Sequence, residues 1–293
     1  MAEFVDHLQL LPMPFKDGAR QPDGNHRPGG LGLATLSDLL NRRGWTARVE
    51  DLGFDKPMAE PRLAEAFARA IGDGVESAWE RSRFPIVLGR AGYVALGIVD
   101  ALGERTGVVW ASARGDYRVP GLLRRPRLEA TSLALLTGRA KRDSLAIRPA
   151  RAQGLRVIAL GTERASDAEH RAMMEDGIRI VASREVDRLA EEVAGTDADG
   201  WYLHVDCSAL ARDSVPAADG AEAGSLNPGR LIEAVADAFG DGRPLRAVAV
   251  VGYDLNQDES GATTATVLEL VEAAARSAGG VPRPETGTEA GGY

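Results

Sequence analysis

"GVVWASARGDYRVP", residues 107–120, decides how the chain is read. Val108, Val109 and Trp110 are apolar at consecutive positions, which suits a strand buried on both faces. Polar residues then take every second position, as Ser112, Arg114 and Asp116. If the extended backbone continues, all three side chains lie on one side. A hydroxyl, a permanent cation and a carboxylate would then converge at the end of a buried strand.

The same grammar repeats along the chain. Short, β-branched, largely apolar runs occur at "HLQLL" (7–11), "TARVEDLG" (46–53), "FPIVLG" (84–89), "RVIALG" (156–161), "IRIVAS" (178–183), "WYLHVD" (201–206) and "LRAVAVVGYD" (245–254). Helical patterns fall between them, such as "GLATLSDLLNRRG" (32–44), "PRLAEAFARAIGDGVESAWERSR" (61–83), "AEHRAMMEDG" (168–177) and "PGRLIEAVADAFGDG" (228–242). Strands alternating with helices predict a mainly parallel sheet covered on both faces, a three-layer α/β/α fold. No strong linker interrupts the pattern, so a single domain is expected over 1–277. The Gly/Pro-rich "GGVPRPETGTEAGGY" at the end predicts a flexible tail over 278–293.

Composition narrows the partners. A net charge of −8 argues against nucleic acid and anionic membrane surfaces, both of which call for a basic face. No apolar run approaches the roughly 20 residues that cross a bilayer. The N-terminus lacks a basic start and a small-residue cleavage site, so the expected location is cytoplasmic. Cys207 is the only cysteine, which excludes an internal disulfide and a cysteine-based zinc site. The histidines are His7, His26, His170 and His204. Ligands of open α/β sheets bind beyond the C-terminal ends of the strands. The segments that matter are therefore "VLGRAGY" (87–93), "WASARGDY" (110–117), "LHVDCSALARDSVP" (203–216) and "VVGYDLNQDESGATTA" (250–265).

These segments resemble the ureohydrolases, the family of arginase and agmatinase, over nearly the whole chain. "FPIVLGRAGY" is similar to that family's strand and Gly-Gly-Asp-His-Ser turn, with Arg90, Ala91, Gly92 and Tyr93 in the turn and Gly92 at the histidine ligand position. "GVVWASARGD" is similar to its Gly-Val-x-Trp strand and Asp-Ala-His-x-Asp motif, with Ser112 and Arg114 replacing ligands and Asp116 retained. "DCSALARDSVP" resembles its Asp-x-Asp-x-x-Asp-Pro motif: Asp206 and Pro216 match, Ser208 replaces the second ligand, and Ala211-Arg212 replaces Asp-Pro. "RLEATSLALLTG" places Glu129 where a substrate-side histidine would sit, and "DLNQDESGATTA" places Asp254 where an acid faces the guanidinium. The resemblance implies an eight-stranded arginase-like fold, a trimer or hexamer, and hydrolysis of guanidinium groups by a binuclear manganese site. Only Asp116 and Asp206 keep ligating side chains at the implied metal positions.

Mn²⁺ prefers carboxylate and imidazole donors. Glycine offers none, serines are weak neutral ligands, and Arg114 brings a permanent positive charge into the volume the metals would occupy. The expectation is a pseudoenzyme without the metal site and without a cofactor, in which Arg114 bridges Asp116 and Asp206 as a planar fork. It would serve as an oligomeric scaffold, as a partner subunit for a paralogue, or as a small-ligand binder lined by Arg90, Tyr93, Ser112, Arg114, Asp116, Asp206 and Ser208.

The alternative is a repurposed enzyme acting on an amine- or guanidine-bearing molecule with His204, Glu129 or Asp254, and Tyr93, as acid–base groups. A single-metal site from Asp116, Asp206 and His204 is a third arrangement. Bland readings stand beside each residue. The charged trio is a structural ion-pair cluster, His204 a core histidine, Cys207 an inert thiol facing away from the site, and Tyr93 a packing residue. "GGLGLAT" (29–35) is a helix start rather than a dinucleotide fingerprint, and "RRPR" (124–127) a solvated basic loop.

Overall fold

The computed structural model describes residues 6–12, 30–50, 52, 62–89, 92–118, 129–140, 156–218, 224–240, 242–254 and 257–280. Every run read above as a strand forms one: β1 (His7–Pro12), β2 (Thr46–Val49), β3 (Phe84–Gly89), β4 (Thr106–Ala111), β5 (Val157–Leu160), β6 (Arg179–Val181), β7 (Gly200–Asp206) and β8 (Leu245–Val251). They make one eight-stranded sheet in the order β2-β1-β3-β8-β7-β4-β5-β6. Every pairing between these strands is parallel.

The helices are α1 (Gly30–Arg42), α2 (Arg62–Glu80), α3 (Ala95–Leu102), α4 (Ser132–Leu136), α5 (Asp167–Glu175), α6 (Leu189–Ala194), α7 (Pro228–Ala238) and α8 (Ala262–Ser277). Local chemistry sets their starts. Ser166 and Glu169 form a reciprocal capping box on α5, while Asn227 caps α7 ahead of Pro228 in its first turn. α3 is buried along most of its length, so it lacks the polar face that makes a helix legible as periodicity.

Alternation along the strands divides the core in two. Val109, Ala111, Leu203 and Val205 pack with Leu36, Leu189, Leu231 and Val271 from α1, α6, α7 and α8. Val108, Trp110 and Tyr202 pack with Phe67, Leu96, Leu133 and Met173 from α2, α3, α4 and α5. The result is the expected α/β/α sandwich, its strands apolar because both faces are covered. At its centre β3, β8, β7 and β4 are neighbours, and these are the strands that lead into the four segments singled out by sequence.

Among the described residues no helix is long and apolar enough to cross a membrane. Residues 281–293, most of the expected tail, and the basic run at 124–127 lie outside the described residues.

α2 and α3 approach closely, and a Cβ built on Gly97 would overlap the carbonyl oxygen of Ala68. Backbone cannot yield as a flexible side chain does. Gly97→Ala is therefore expected to cost about 1–3 kcal/mol of stability, read as a lower urea midpoint with an unchanged slope.

Candidate functional site

The site grows from a ring stack. Trp110 and His204 are direct partners in the β4–β7 register, and their rings lie 3.7 Å apart at 8°. His204 is fully buried, with Nδ1 2.7 Å from the Tyr202 hydroxyl. Burial lowers its pKa to about 3, so the imidazole is neutral at physiological pH. Its Nε2 is buried and, among the described residues, has no hydrogen-bond partner. These facts describe a core histidine, stacked and desolvated.

Just beyond the stack, β4 ends at Ala111 and the chain turns. Gly115 (φ +73°) and Asp116 (φ +51°) both adopt left-handed backbone, and the Gly115 N–H donates to the Ser112 carbonyl at 3.4 Å. This turn corrects the sequence reading. Strand alternation stops at Ala111, so Ser112, Arg114 and Asp116 do not share a face through a continued strand. Instead the turn folds Asp116 back, and its Oδ2 accepts from Ser112 Oγ at 2.8 Å and from the Trp110 indole N–H at 3.3 Å.

Arg114 is exposed, and its charge acts on Asp116 as the smallest of the influences on that carboxyl. Two consecutive left-handed residues, Gly115 and Asp116, follow it in the turn.

Asp116 pays electrostatically for this placement. Burial, then the negative charge of Asp206, pushes its pKa up to about 7, against hydrogen bonds from Ser112 and Trp110 and the weaker field of Arg114. Asp206 ends β7, and its Oδ1 accepts from the Ser208 N–H at 2.7 Å. The Asp206 carboxylate lies against Gly252 at the end of β8, where any Cβ would overlap it. Gly252 (φ +78°) in turn donates its N–H to the Gly89 carbonyl at 3.0 Å, tying the ends of β3 and β8 together.

Ser208 is buried, and among the described residues its hydroxyl has no hydrogen-bond partner. Asp254 is buried beyond β8, and its Oδ2 accepts from Gln257 at 3.0 Å. Tyr93 is packed in the core on the α2–α5 side. Cys207 belongs to the opposite core, as its parity implied. Gly92 is buried, with the Trp110 ring and Ser132 Oγ 3.4 Å from where its Cβ would stand. Arg90 lies outside the described residues, as does the side chain of Glu129, whose backbone opens the short 3-10 turn before α4.

The structure thus brings Ser112 and Asp116 into contact, sets Asp206 within electrostatic reach of Asp116, and keeps Ser208 beside Asp206. His204 lies in the core beneath them. Sequence reasoning missed the Trp110 indole as a donor to Asp116 and Gly252 as the space for Asp206. The second had a signal, since a lone glycine at a strand end marks a close backbone approach.

The resemblance implies a binuclear manganese group here, and the donors do not fit it. Gly92 has no side chain, Ser112 is spent on Asp116, and Arg114 is a cation. Among the described residues no group of three or more His, Cys, Asp or Glu side chains stands together as a metal site.

Comparison with known proteins gives consistent results. A family model described as the arginase family matches residues 10–275. An arginase of Staphylococcus aureus (strain MRSA252) is 24% identical over 148 residues, 46% of this chain and 49% of that protein, so the match spans about half its length. An arginase of Bacillus subtilis (strain 168) is 23% identical over 289 residues, 90% of this chain and 96% of that protein. The crystal structure of arginase from Bacillus subtilis superposes with a TM-score of 0.74 at 21% identity, over 92% of this chain and 98% of that one.

Asp116 also yields a pH signature. Its folded pKa of about 7 lies above the unfolded value, so the folded chain binds the extra proton and loses stability as pH rises from about 4 to about 7. Asp116→Asn keeps an acceptor for Ser112 and Trp110 and cannot ionise. It should gain stability over the native chain steadily as pH rises from about 4 to about 7 and be no more stable near pH 4. Parallel melting-pH curves for the two proteins would contradict the assignment.

Proposed function

The chain belongs to the arginase family, and from that premise we propose that it is a pseudoenzyme within it, without the binuclear manganese centre and without metal-dependent guanidinium hydrolysis. It keeps the fold to hold a small ligand at the C-terminal ends of β4, β7 and β8, or to serve as an oligomeric scaffold or partner subunit. The observation that carries this reading is the donor set. Gly92, Ser112, Arg114 and Ser208 occupy positions where the family resemblance implies ligands, and Asp116 and Asp206 alone keep carboxylates. Hydrolysing a resonance-stabilised guanidinium near neutral pH calls for a hydroxide made by metal ions. Two acids, one of them partly protonated, do not replace that.

A second reading, turnover without metals, is favoured by Asp116 itself. A buried carboxyl held in left-handed backbone, with a pKa of about 7, has the properties of a general acid or base. In that reading Asp254→Asn abolishes turnover of an amine- or guanidine-bearing substrate and leaves the fold intact.

Melting curves with added Mn²⁺, Ni²⁺ and Zn²⁺ test the first reading, because a ligand that binds only the folded state must raise the melting temperature. The native chain is expected to show no shift. The combined reversion Gly92→His, Ser112→Asp, Arg114→His and Ser208→Asp should create a Mn²⁺-dependent rise. A clear rise for the native chain would overturn the proposal.

A further inference from the structure

We propose that the furrow between α7 and α8 is the docking surface for a second copy of this chain. The contact is two-fold: the two α8 helices lie antiparallel, and Glu269 of each copy pairs with the partner subunit's Arg276. The inference rests on the oligomeric-scaffold arm of the reading above and gives that arm its surface.

The furrow has a volume of about 420 Å³ and opens onto the outer face of the helical layer. Ile232 and Ala236 of α7 and Ala273 of α8 line it. Ala236 is exposed, while Ile232 and Ala273 are half-buried. Small and apolar side chains along a furrow between two helices leave room for the ridge of a third helix. On α8 itself Glu269, Ala273 and Arg276 stand at positions i, i+4 and i+7, so they share one helix face.

The charges on that face complement themselves. Glu272, buried beside them, is committed within its own chain: Oε2 accepts from Arg43 Nη1 at 2.5 Å and Oε1 from Trp45 Nε1 at 3.0 Å. Arg276 therefore comes no nearer to Glu272 than 3.8 Å, and it lies over the Trp45 ring with its side chain 55% exposed. The indole holds the guanidinium in place and leaves its N–H groups for another acceptor. Glu269 is exposed, and among the described residues it has neither a hydrogen bond nor an ion pair. Seven residues of helix separate it from Arg276, about 10 Å along the axis, too far for the two to pair within one chain. An antiparallel second copy brings the acid opposite the base twice, once on each side of an axis that passes beside Ala273, whose small side chain permits close approach. A two-fold interface needs a patch complementary to itself, and this face is one.

The test is sedimentation velocity over a wide concentration range on the native protein, Glu269→Arg, Arg276→Glu and the double swap, with melting curves to show that each is folded. Native protein is expected as an assembly with an even number of chains. Each single reversal sets like charges opposite one another and should weaken the two-fold contact by about tenfold or more, and the double swap should restore it. Arg276→Glu also removes the contact with Trp45. Glu269→Arg touches no native pair, so it carries the test if Arg276→Glu proves less stable. A native protein that is monomeric or has an odd number of chains would overturn the proposal, as would an assembly that Glu269→Arg leaves equally tight. The readout is mass, so such a failure leaves the metal question untouched, and a metal-induced melting shift would instead count against the reading of the strand-end site.

Discussion

The stack of Trp110 on His204 is the interaction on which the site depends. It locks β4 and β7 in register at the centre of the sheet. Everything above it follows from that register. Ser112 and Asp116 emerge at the same level as Asp206, and the indole N–H of the stacked tryptophan reaches up to hold the Asp116 carboxyl. The histidine contributes area and shape rather than protons, since burial keeps it neutral and Tyr202 occupies its Nδ1. A charged imidazole in that place would carry the cost of an unpaired buried cation.

Above the stack the chemistry is set by buried carboxylates. Burial, and then the nearby Asp206 carboxylate, make Asp116 hold its proton to near-neutral pH. Neutral donors, Ser112 and the Trp110 indole, satisfy its oxygen without cancelling its charge. The family to which the chain belongs shares its fold over nearly the full length. Stability resides in the two apolar layers, while the chemistry of the site rests on a handful of side chains at the strand ends.

The fold was legible because its central strands are largely apolar. "FPIVLG" and "WYLHVD" admit little but a strand buried on both faces, and each forms one. α3 was harder, since a helix buried nearly all round carries no amphipathic stripe. At the site, parity along β7 placed Asp206 on the side of the sheet opposite Cys207, and the composition of the motif identified Asp116. Parity failed for Arg114. Period-2 reasoning holds only while the backbone stays extended, and Gly115 and Asp116 leave that region of backbone space. A glycine in "ARGD" gave warning of the turn but not of how it would fold Asp116 back onto Ser112. The accommodation of Asp206 by Gly252 was beyond local reading, because the two residues meet only through the β7–β8 pairing.

The most direct measurement is the metal content of the native protein, produced with supplemental manganese, purified without chelators and analysed by elemental mass spectrometry against its own dialysis buffer. The account predicts manganese, nickel and zinc at the level of the buffer. Manganese in stoichiometric amount per chain would contradict it, and would mean that the strand ends assemble a donor set from residues other than those described.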